Sequence, residues 1–116
     1  MPIAEALRIA GLRPYGNSLQ TAFHEAVKGG FYPCAPATQP GSKRRFERHH
    51  LAGLCVFRHL LDFGLSARVA GPIACEAQLF AELYPAATVW VWDAMDGIKL
   101  RVDLSPIWKA IDGQAP

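Results

Sequence analysis

Several features that would assign this chain to a class are missing from its sequence. No apolar run approaches the roughly 18–20 residues that cross a bilayer. The first residues have neither the basic start nor the unbroken apolar stretch of a signal peptide. Internal repeats and low-complexity tracts are also absent. We therefore expect a cytoplasmic protein with no membrane partner.

Cysteine is scarce, and the cysteine and histidine spacings match no common metal or redox motif. Cys34, Cys55 and Cys75 lie far apart, so in a reducing compartment they are expected to be free thiols. Adjacent residues on a helix, such as His49 and His50, point about 100° apart, which disfavours a shared metal ion. A Cys–His hydrolase is also unsupported, because Cys55 lies in an apolar segment and no glycine-framed nucleophile turn exists. We predict no enzymatic activity, catalytic residue, metal, cofactor or small-molecule ligand.

Net charge is small as well. The 116 residues carry a formal charge of +2 and are 51% hydrophobic, which suits one globular unit and excludes wholesale disorder. So low a charge requires that any binding to nucleic acid depend on a local cluster of cations. One exists after Gly41, where four of the twelve Lys and Arg residues fall within six positions: Lys43, Arg44, Arg45 and Arg48. We expect them to contact phosphates, and a solvated basic loop is the alternative.

Helical periodicity organises the first two-thirds of the chain. Apolar residues recur at three- and four-residue steps in four segments: 3–10, 18–28, 48–63 and 67–83. A glycine follows each of the first three segments and ends it. Residues 31–41 contain three prolines and are predicted to form a loop. Pro72 either kinks the fourth segment or starts a new helix, and the sequence favours neither.

The last third of the chain has a period of two. Residues 88–92 and 98–104 alternate on either side of Asp96–Gly97, which predicts a β-hairpin. A two-residue turn there would set Val91 opposite Val102, so that the aliphatic sides of the two strands coincide. A short helix is expected to follow from Ser105.

The predicted hairpin must be covered by something, because a lone hairpin is only marginally stable in water. In the expected register, Trp90 and Trp92 share a face with Arg101 and Asp103. The hairpin either covers the chain's own core or pairs with its twin in a dimer. We predict the dimer, with the following interface residues: Val89, Trp90, Trp92, Leu100, Arg101 and Val102.

Two motifs point to a known family. The first is a pair of short helices joined by a turn, Ile3–Leu12 and Ser18–Ala26. The second is a proline and a glycine ahead of an arginine–aromatic element and an apolar helix: Pro36, Gly41, Arg44-Arg45-Phe46 and then Leu51 to Ser66. Over residues 3–75 the chain thereby resembles the MerR-type winged helix-turn-helix DNA-binding domain. It has no counterpart of the long coiled-coil helix through which that family dimerises.

The resemblance implies that the second helix enters the major groove and that the wing, the basic turn before Phe46, clamps phosphates. Five residues near the start of the second helix are expected at base edges: Asn17, Ser18, Gln20, Thr21 and His24. Five are expected at phosphates: Lys43, Arg44, Arg45, Arg48 and His49. An ordinary polar solvent face is the alternative for the first set. Phe46 is interpreted as a core anchor that fastens the wing.

Together these patterns predict a mainly α-helical protein with a small β part. Residues 1–84 are predicted to form a winged helix-turn-helix domain, and residues 85–116 a β-hairpin and short helix for dimerisation. The expected function is sequence-specific binding of double-stranded DNA by a homodimer, as a bacterial or phage transcriptional regulator. Two alternatives stay open: an architectural DNA binder, such as an excisionase or a packaging DNA-recognition subunit, and a protein-interaction adaptor that uses the tryptophan-bearing hairpin.

Overall fold

The computed structural model describes residues 18–36 and 45–113. Its elements in chain order are α1 (Ser18–Lys28), α2 (Arg48–Phe63), α3 (Ala67–Leu83), β1 (Val89–Met95), β2 (Ile98–Asp103) and α4 (Ser105–Asp112). This part of the chain is mainly helical, with one two-stranded antiparallel sheet. None of its helices is long and apolar enough to cross a membrane.

Most of the predicted elements that fall within the described residues are confirmed. They include α1, α2, the hairpin and the short last helix. Pro72 lies inside one continuous helix, α3, and is exposed. Its neighbours Gly71 and Ile73 are buried, and their packing offsets the backbone hydrogen bond that proline removes. The helix predicted over 3–10 and the site residues Asn17, Lys43 and Arg44 lie outside the described residues.

A tight turn reverses the chain between α2 and α3. Gly64 adopts a φ of 110°, a left-handed conformation that side-chain-bearing residues avoid. The Leu65 backbone N–H donates to the Leu60 carbonyl at 3.0 Å, which closes the end of α2. Ser66 then caps α3, because its hydroxyl accepts from the Val69 N–H at 3.4 Å. The two helices therefore pack as an antiparallel pair.

Small residues allow α2 and α3 to approach closely. A Cβ added at Gly53 of α2 would lie 2.8 Å from the Gln78 Cβ and 3.2 Å from the Ala74 carbonyl oxygen of α3. On α3 a row of buried alanines faces inward: Ala70, Ala74, Ala77 and Ala81. Phe57 of α2 contacts the buried Tyr32 ring, with centroids 5.1 Å apart. The two helices form the centre of the core.

The C-terminal segment shares that core. Trp90 of β1 and Trp108 of α4 are 6% and 7% exposed, and both belong to the same buried cluster as the residues of α2 and α3. The Trp108 indole N–H donates to the Ala87 carbonyl at 2.8 Å, which satisfies its one polar group. Residues 85–113 are thus packed against the preceding helices.

The hairpin register differs by one residue from the register predicted. Trp90 pairs with Val102, and Trp92 pairs with Leu100, so the expected Val91–Val102 pair is wrong. The cause is a β-bulge between Asp93 and Met95, which adds one unpaired residue to β1 and reverses the side-chain parity beyond it.

The bulge changes which face the tryptophans share. Trp90 and Trp92 lie on the face of Leu100 and Val102, not on the predicted face with Arg101 and Asp103. This tryptophan face turns toward the helices: Trp90 is buried, and Trp92 is half-buried. On the opposite face Val89 is half-buried, and the exposed residues include Val91, Lys99, Arg101 and Asp103.

A disulfide corrects the prediction of free thiols. Cys34, in the loop after α1, is bonded to Cys75 of α3, with their Cα atoms 5.5 Å apart. Gln78 fastens the same loop, because its amide donates to the Cys34 carbonyl at 2.8 Å. The fold brings these residues together across 41 positions of sequence, a distance at which spacing gives no indication of pairing. Cys55 stays a free, buried thiol.

Candidate functional site

The surface predicted to meet DNA is built on α1. Phe23 and Ala26 are buried, and they hold the helix to the core. The Phe23 ring packs edge-on against Tyr32, with centroids 5.1 Å apart. Thr21 and His24, two of the residues predicted at base edges, are exposed. The apolar side of α1 thus anchors it and leaves these polar residues at the surface.

A second buried ring connects the basic segment, residues 43–48, to α1. Phe46 is 3% exposed, and its centroid lies 5.8 Å from that of Phe23. The prediction that Phe46 is a core anchor is confirmed. Arg45 directly precedes Phe46 and is exposed. The contact therefore ties the residue next to the exposed Arg45 to α1 at Phe23.

Arg48 forms intramolecular contacts at the other end of the basic segment. Its guanidinium makes a two-point ion pair with Asp112 of α4, with Nε–Oδ1 at 2.9 Å and Nη2–Oδ2 at 3.1 Å. Nη1 donates to the Pro85 carbonyl at 2.7 Å, and the guanidinium carbon lies 3.6 Å from the Trp108 ring centroid. The hydrogen bond from Arg48 lowers the pKa of the Asp112 carboxyl. A phosphate would have to compete with these contacts for Arg48.

Three potential metal ligands converge at the start of α2. The rings of His49 and His50 have centroids 4.0 Å apart, and the ligand atoms of both histidines and Glu47 lie within 4.8 Å of one another. The expectation that the two adjacent rings diverge is wrong. The Cα–Cβ bonds of the two residues point in different directions, as they do for any neighbours on a helix. The imidazole side chains are nevertheless long enough for the two rings to meet.

Hydrogen bonding makes this cluster a poor metal site. The Glu47 backbone N–H donates to His50 Nδ1 at 2.9 Å, which uses the one lone pair of the neutral ring. Burial, and then the neighbouring His49, lower the pKa of His50, in keeping with a neutral ring. His49 contacts Glu82 of α3 through Nε2 at 3.3 Å. Only His49 Nδ1 and the Glu47 carboxylate remain, fewer than the usual four ligands of structural zinc.

In this arrangement both His49 and His50 make structural contacts within the chain. Glu47 and His50 form a reciprocal cap at the start of α2. The side chain of His49 is 19% exposed and lies between the carboxylates of Glu47 and Glu82. The predicted phosphate contact of His49 stays a prediction that must compete with two carboxylates.

The free thiol is poorly placed for nucleophilic chemistry. Burial raises the pKa of Cys55 to about 11, so the thiol is protonated near neutral pH.

Tyr32 is also buried, and burial raises the pKa of its hydroxyl. Within the described residues that hydroxyl has no hydrogen-bond partner.

An apolar groove of about 610 Å³ opens between the hairpin and α2. The tryptophan face of the hairpin forms one wall through Trp92, Leu100 and Val102, and α2 forms another through Leu60 and Phe63. Phe63 is 87% exposed, although it belongs to the wall. The volume falls in the range of ligand pockets and helix-binding grooves.

The groove includes part of the predicted dimer interface. Four of the six predicted residues line it: Trp92, Leu100, Arg101 and Val102. Trp90 instead lies in the chain's own core and is 6% exposed. Trp90 therefore belongs to the core, while Trp92 remains at an accessible surface.

Sequence reasoning missed most of the groove, including His59 and Phe63 of α2. The available indication is that α2 is apolar around most of its circumference, which favours a core helix over a surface helix. A helix apolar on all sides needs neighbours on all sides, and the described residues cover α2 incompletely near its C-terminal end. Which side would be left open depends on the hairpin register, and therefore on the bulge.

Comparisons of the chain with protein-family models, with curated proteins and with solved structures found no match.

Proposed function

We propose that the protein binds double-stranded DNA in a sequence-specific way, as a homodimer that regulates transcription in a bacterium or phage. In this proposal its N-terminal part is a winged helix-turn-helix, with α1 as the recognition helix. Base contacts come from Ser18, Gln20, Thr21 and His24 of α1, and phosphate contacts from the basic segment.

One observation carries the proposal, the packing of Phe46 against Phe23. It supports the proposal because a DNA reader must present its probing helix and its phosphate-binding cations on the same side. Arg45 is exposed beside this contact, and Thr21 and His24 are exposed on α1. Arg48 contributes less in this arrangement, since Asp112 and Trp108 already hold its guanidinium.

Binding to a mixed-sequence duplex, followed by fluorescence anisotropy as salt is raised, tests the proposal. The wild-type chain should lose affinity steeply between about 50 and 200 mM salt, because phosphate contacts release counterions. Arg45→Ala should weaken binding to every sequence and reduce the salt slope by about 1. Lys109→Ala is the matched control, because Lys109 is an exposed cation on α4.

Sequence choice is tested separately with Gln20→Ala. This variant should change which duplexes are recovered from a random pool and should leave the salt slope nearly unchanged, since a base contact carries the specificity. Weak binding at every salt concentration, with no effect of Arg45→Ala, would refute the proposal and favour the protein-interaction adaptor.

A further inference from the structure

We propose that the apolar groove receives Phe63 from a second copy of the chain, and that two copies bind each other by this exchange. The inference rests on the homodimer in the proposed function and is independent of DNA binding.

The first argument is that the projecting Phe63 ring and the groove that would receive it lie on one surface of the chain. Phe63 stands at the rim of the groove and is 87% exposed, so its ring has little contact with its own chain. The space beside it, about 610 Å³, is walled by Trp92, Leu100 and Val102. A two-fold axis would place each Phe63 in the other copy's groove at the same time, as an isologous interface requires.

The second argument is the scarcity of polar groups in the groove. Small-molecule sites carry several polar groups that fix the orientation of the ligand. Here the walls formed by α2 and by the tryptophan face of the hairpin offer one polar side chain, His59. The other polar residues of the lining, Lys99, Arg101 and Asp103, alternate with the tryptophan-face residues of β2 and are exposed. An apolar side chain suits this groove better than an oriented ligand.

The third argument is charge. Asp62 precedes Phe63 and has a side chain that is 59% exposed, while the rim carries Lys99 and Arg101. Insertion of Phe63 therefore brings a carboxylate toward a rim on which these two cations outnumber the one carboxylate, Asp103. Asp62 also pairs with Arg58 of its own helix at 2.9 Å. Because the carboxylate already has this partner, the rim charges contribute mainly by avoiding electrostatic repulsion between the two copies.

Sedimentation equilibrium of the full chain is the first test. Wild type should form a dimer, and Phe63→Asp should raise the dimer dissociation constant roughly 100-fold or more, because the ring is lost and a charge is placed in an apolar groove. Leu79→Asp is the matched control: Leu79 is another large apolar residue, 57% exposed on α3 and outside the groove. It should leave the dimer intact. The circular dichroism spectrum of Phe63→Asp should match that of wild type, since the native ring is exposed.

Photo-crosslinking locates the contact. Phe63 is replaced by p-benzoylphenylalanine, and isotopically light and heavy chains are mixed before irradiation. Crosslinks between light and heavy chains should join position 63 to the β2 peptide, residues 98–103. Crosslinks that stay within one chain, or that reach other peptides, would overturn the inference.

The remaining outcomes separate this inference from the proposed function. A dimer that survives Phe63→Asp overturns the groove contact but leaves the proposed homodimer standing. A monomer at all concentrations overturns both, and leaves DNA binding to its own test. A small molecule that remains on the monomer in native mass spectrometry, and is lost with Phe63→Asp, overturns the inference in favour of a ligand pocket.

Discussion

The side of α2 that meets α3 and the side that meets the hairpin are built from different kinds of residue. Toward α3, Gly53 lies against Gln78 so closely that one added carbon would overlap it. Toward the hairpin, Leu60 and Phe63 border a groove of about 610 Å³. The first side is closed by small residues, and the second is left open between large ones.

The difference shows how size and position decide where apolar surface remains. Glycine and alanine let two helix backbones approach until little space is left between them. Large side chains leave spaces unless a partner of matching shape fills them. On the hairpin side, the bulge of β1 sets the register so that Trp90 fills the core and Trp92 lines the groove. The closed side contributes to stability, and the open side leaves apolar surface accessible.

The largest expected effect comes from breaking the disulfide that ties the loop after α1 to α3. Cys34 and Cys75 are 41 positions apart, and a crosslink over such a loop stabilises a fold by about 4 kcal/mol through the entropy of the unfolded chain. Reduction should therefore lower the free energy of unfolding by a few kcal/mol, up to about this amount. Urea unfolding with and without reductant measures it.

The double variant Cys34→Ala with Cys75→Ala is the control for the disulfide. It should unfold like the reduced wild type and should not respond to reductant. Identical urea midpoints for oxidised and reduced wild type would show that the bond does not stabilise the fold.

The next largest effect concerns Gly71 on α3. A Cβ at this position would overlap the backbone carbonyl oxygen of Phe31, which cannot move aside by a side-chain rotation. Overpacking of this kind typically costs about 1–3 kcal/mol, and alanine's better helix propensity returns about 1 kcal/mol. We expect Gly71→Ala to destabilise the fold by up to about 2 kcal/mol net in urea unfolding.

The matched change on the open side is Phe63→Ala. Because the ring is 87% exposed, the urea midpoint should not change at concentrations at which the chain is monomeric. If Phe63→Ala destabilised the monomer as much as Gly71→Ala, Phe63 would not belong to an open surface.

The sequence predicts the elements of this comparison better than it predicts their contacts. Local patterns are enough for α2, because its apolar residues recur along its whole length and Gly64 follows it. The hairpin is also predicted by alternation about Asp96–Gly97. These features depend on neighbours in the sequence.

The contacts that decide the site depend on residues far apart in the chain. One unpaired residue in the bulge changes the register, and thereby the face that Trp92 occupies. Cys34 meets Cys75 only after the loop has folded onto α3. The sequence predicts a phosphate contact for Arg48, because nothing near it in sequence indicates that Asp112 and Trp108 lie beside it.

The smallest expected effect is on the pH dependence of stability, to which one histidine on each side of α2 contributes. Burial lowers the pKa of His50, near α3, and of His59, in the groove. The folded chain therefore favours neutral rings, and the unfolded chain, with ordinary pKa values near 6.5, binds more protons below that pH. Stability should be at its full value above about pH 6.5 and should fall as the pH drops through that value toward the lower pKa values of the folded chain.

Glutamine at each position separates the two contributions. His50→Gln keeps an acceptor for the Glu47 N–H and removes the titration, so it should flatten part of the pH dependence of the urea midpoint without loss of the helix cap. His59→Gln should flatten another part. If a second copy covers the groove, the effect of His59→Gln should grow with protein concentration, because the dimer buries that ring further, whereas the effect of His50→Gln should not. A double variant that retained the full pH dependence of wild type would rule out both histidines as its source.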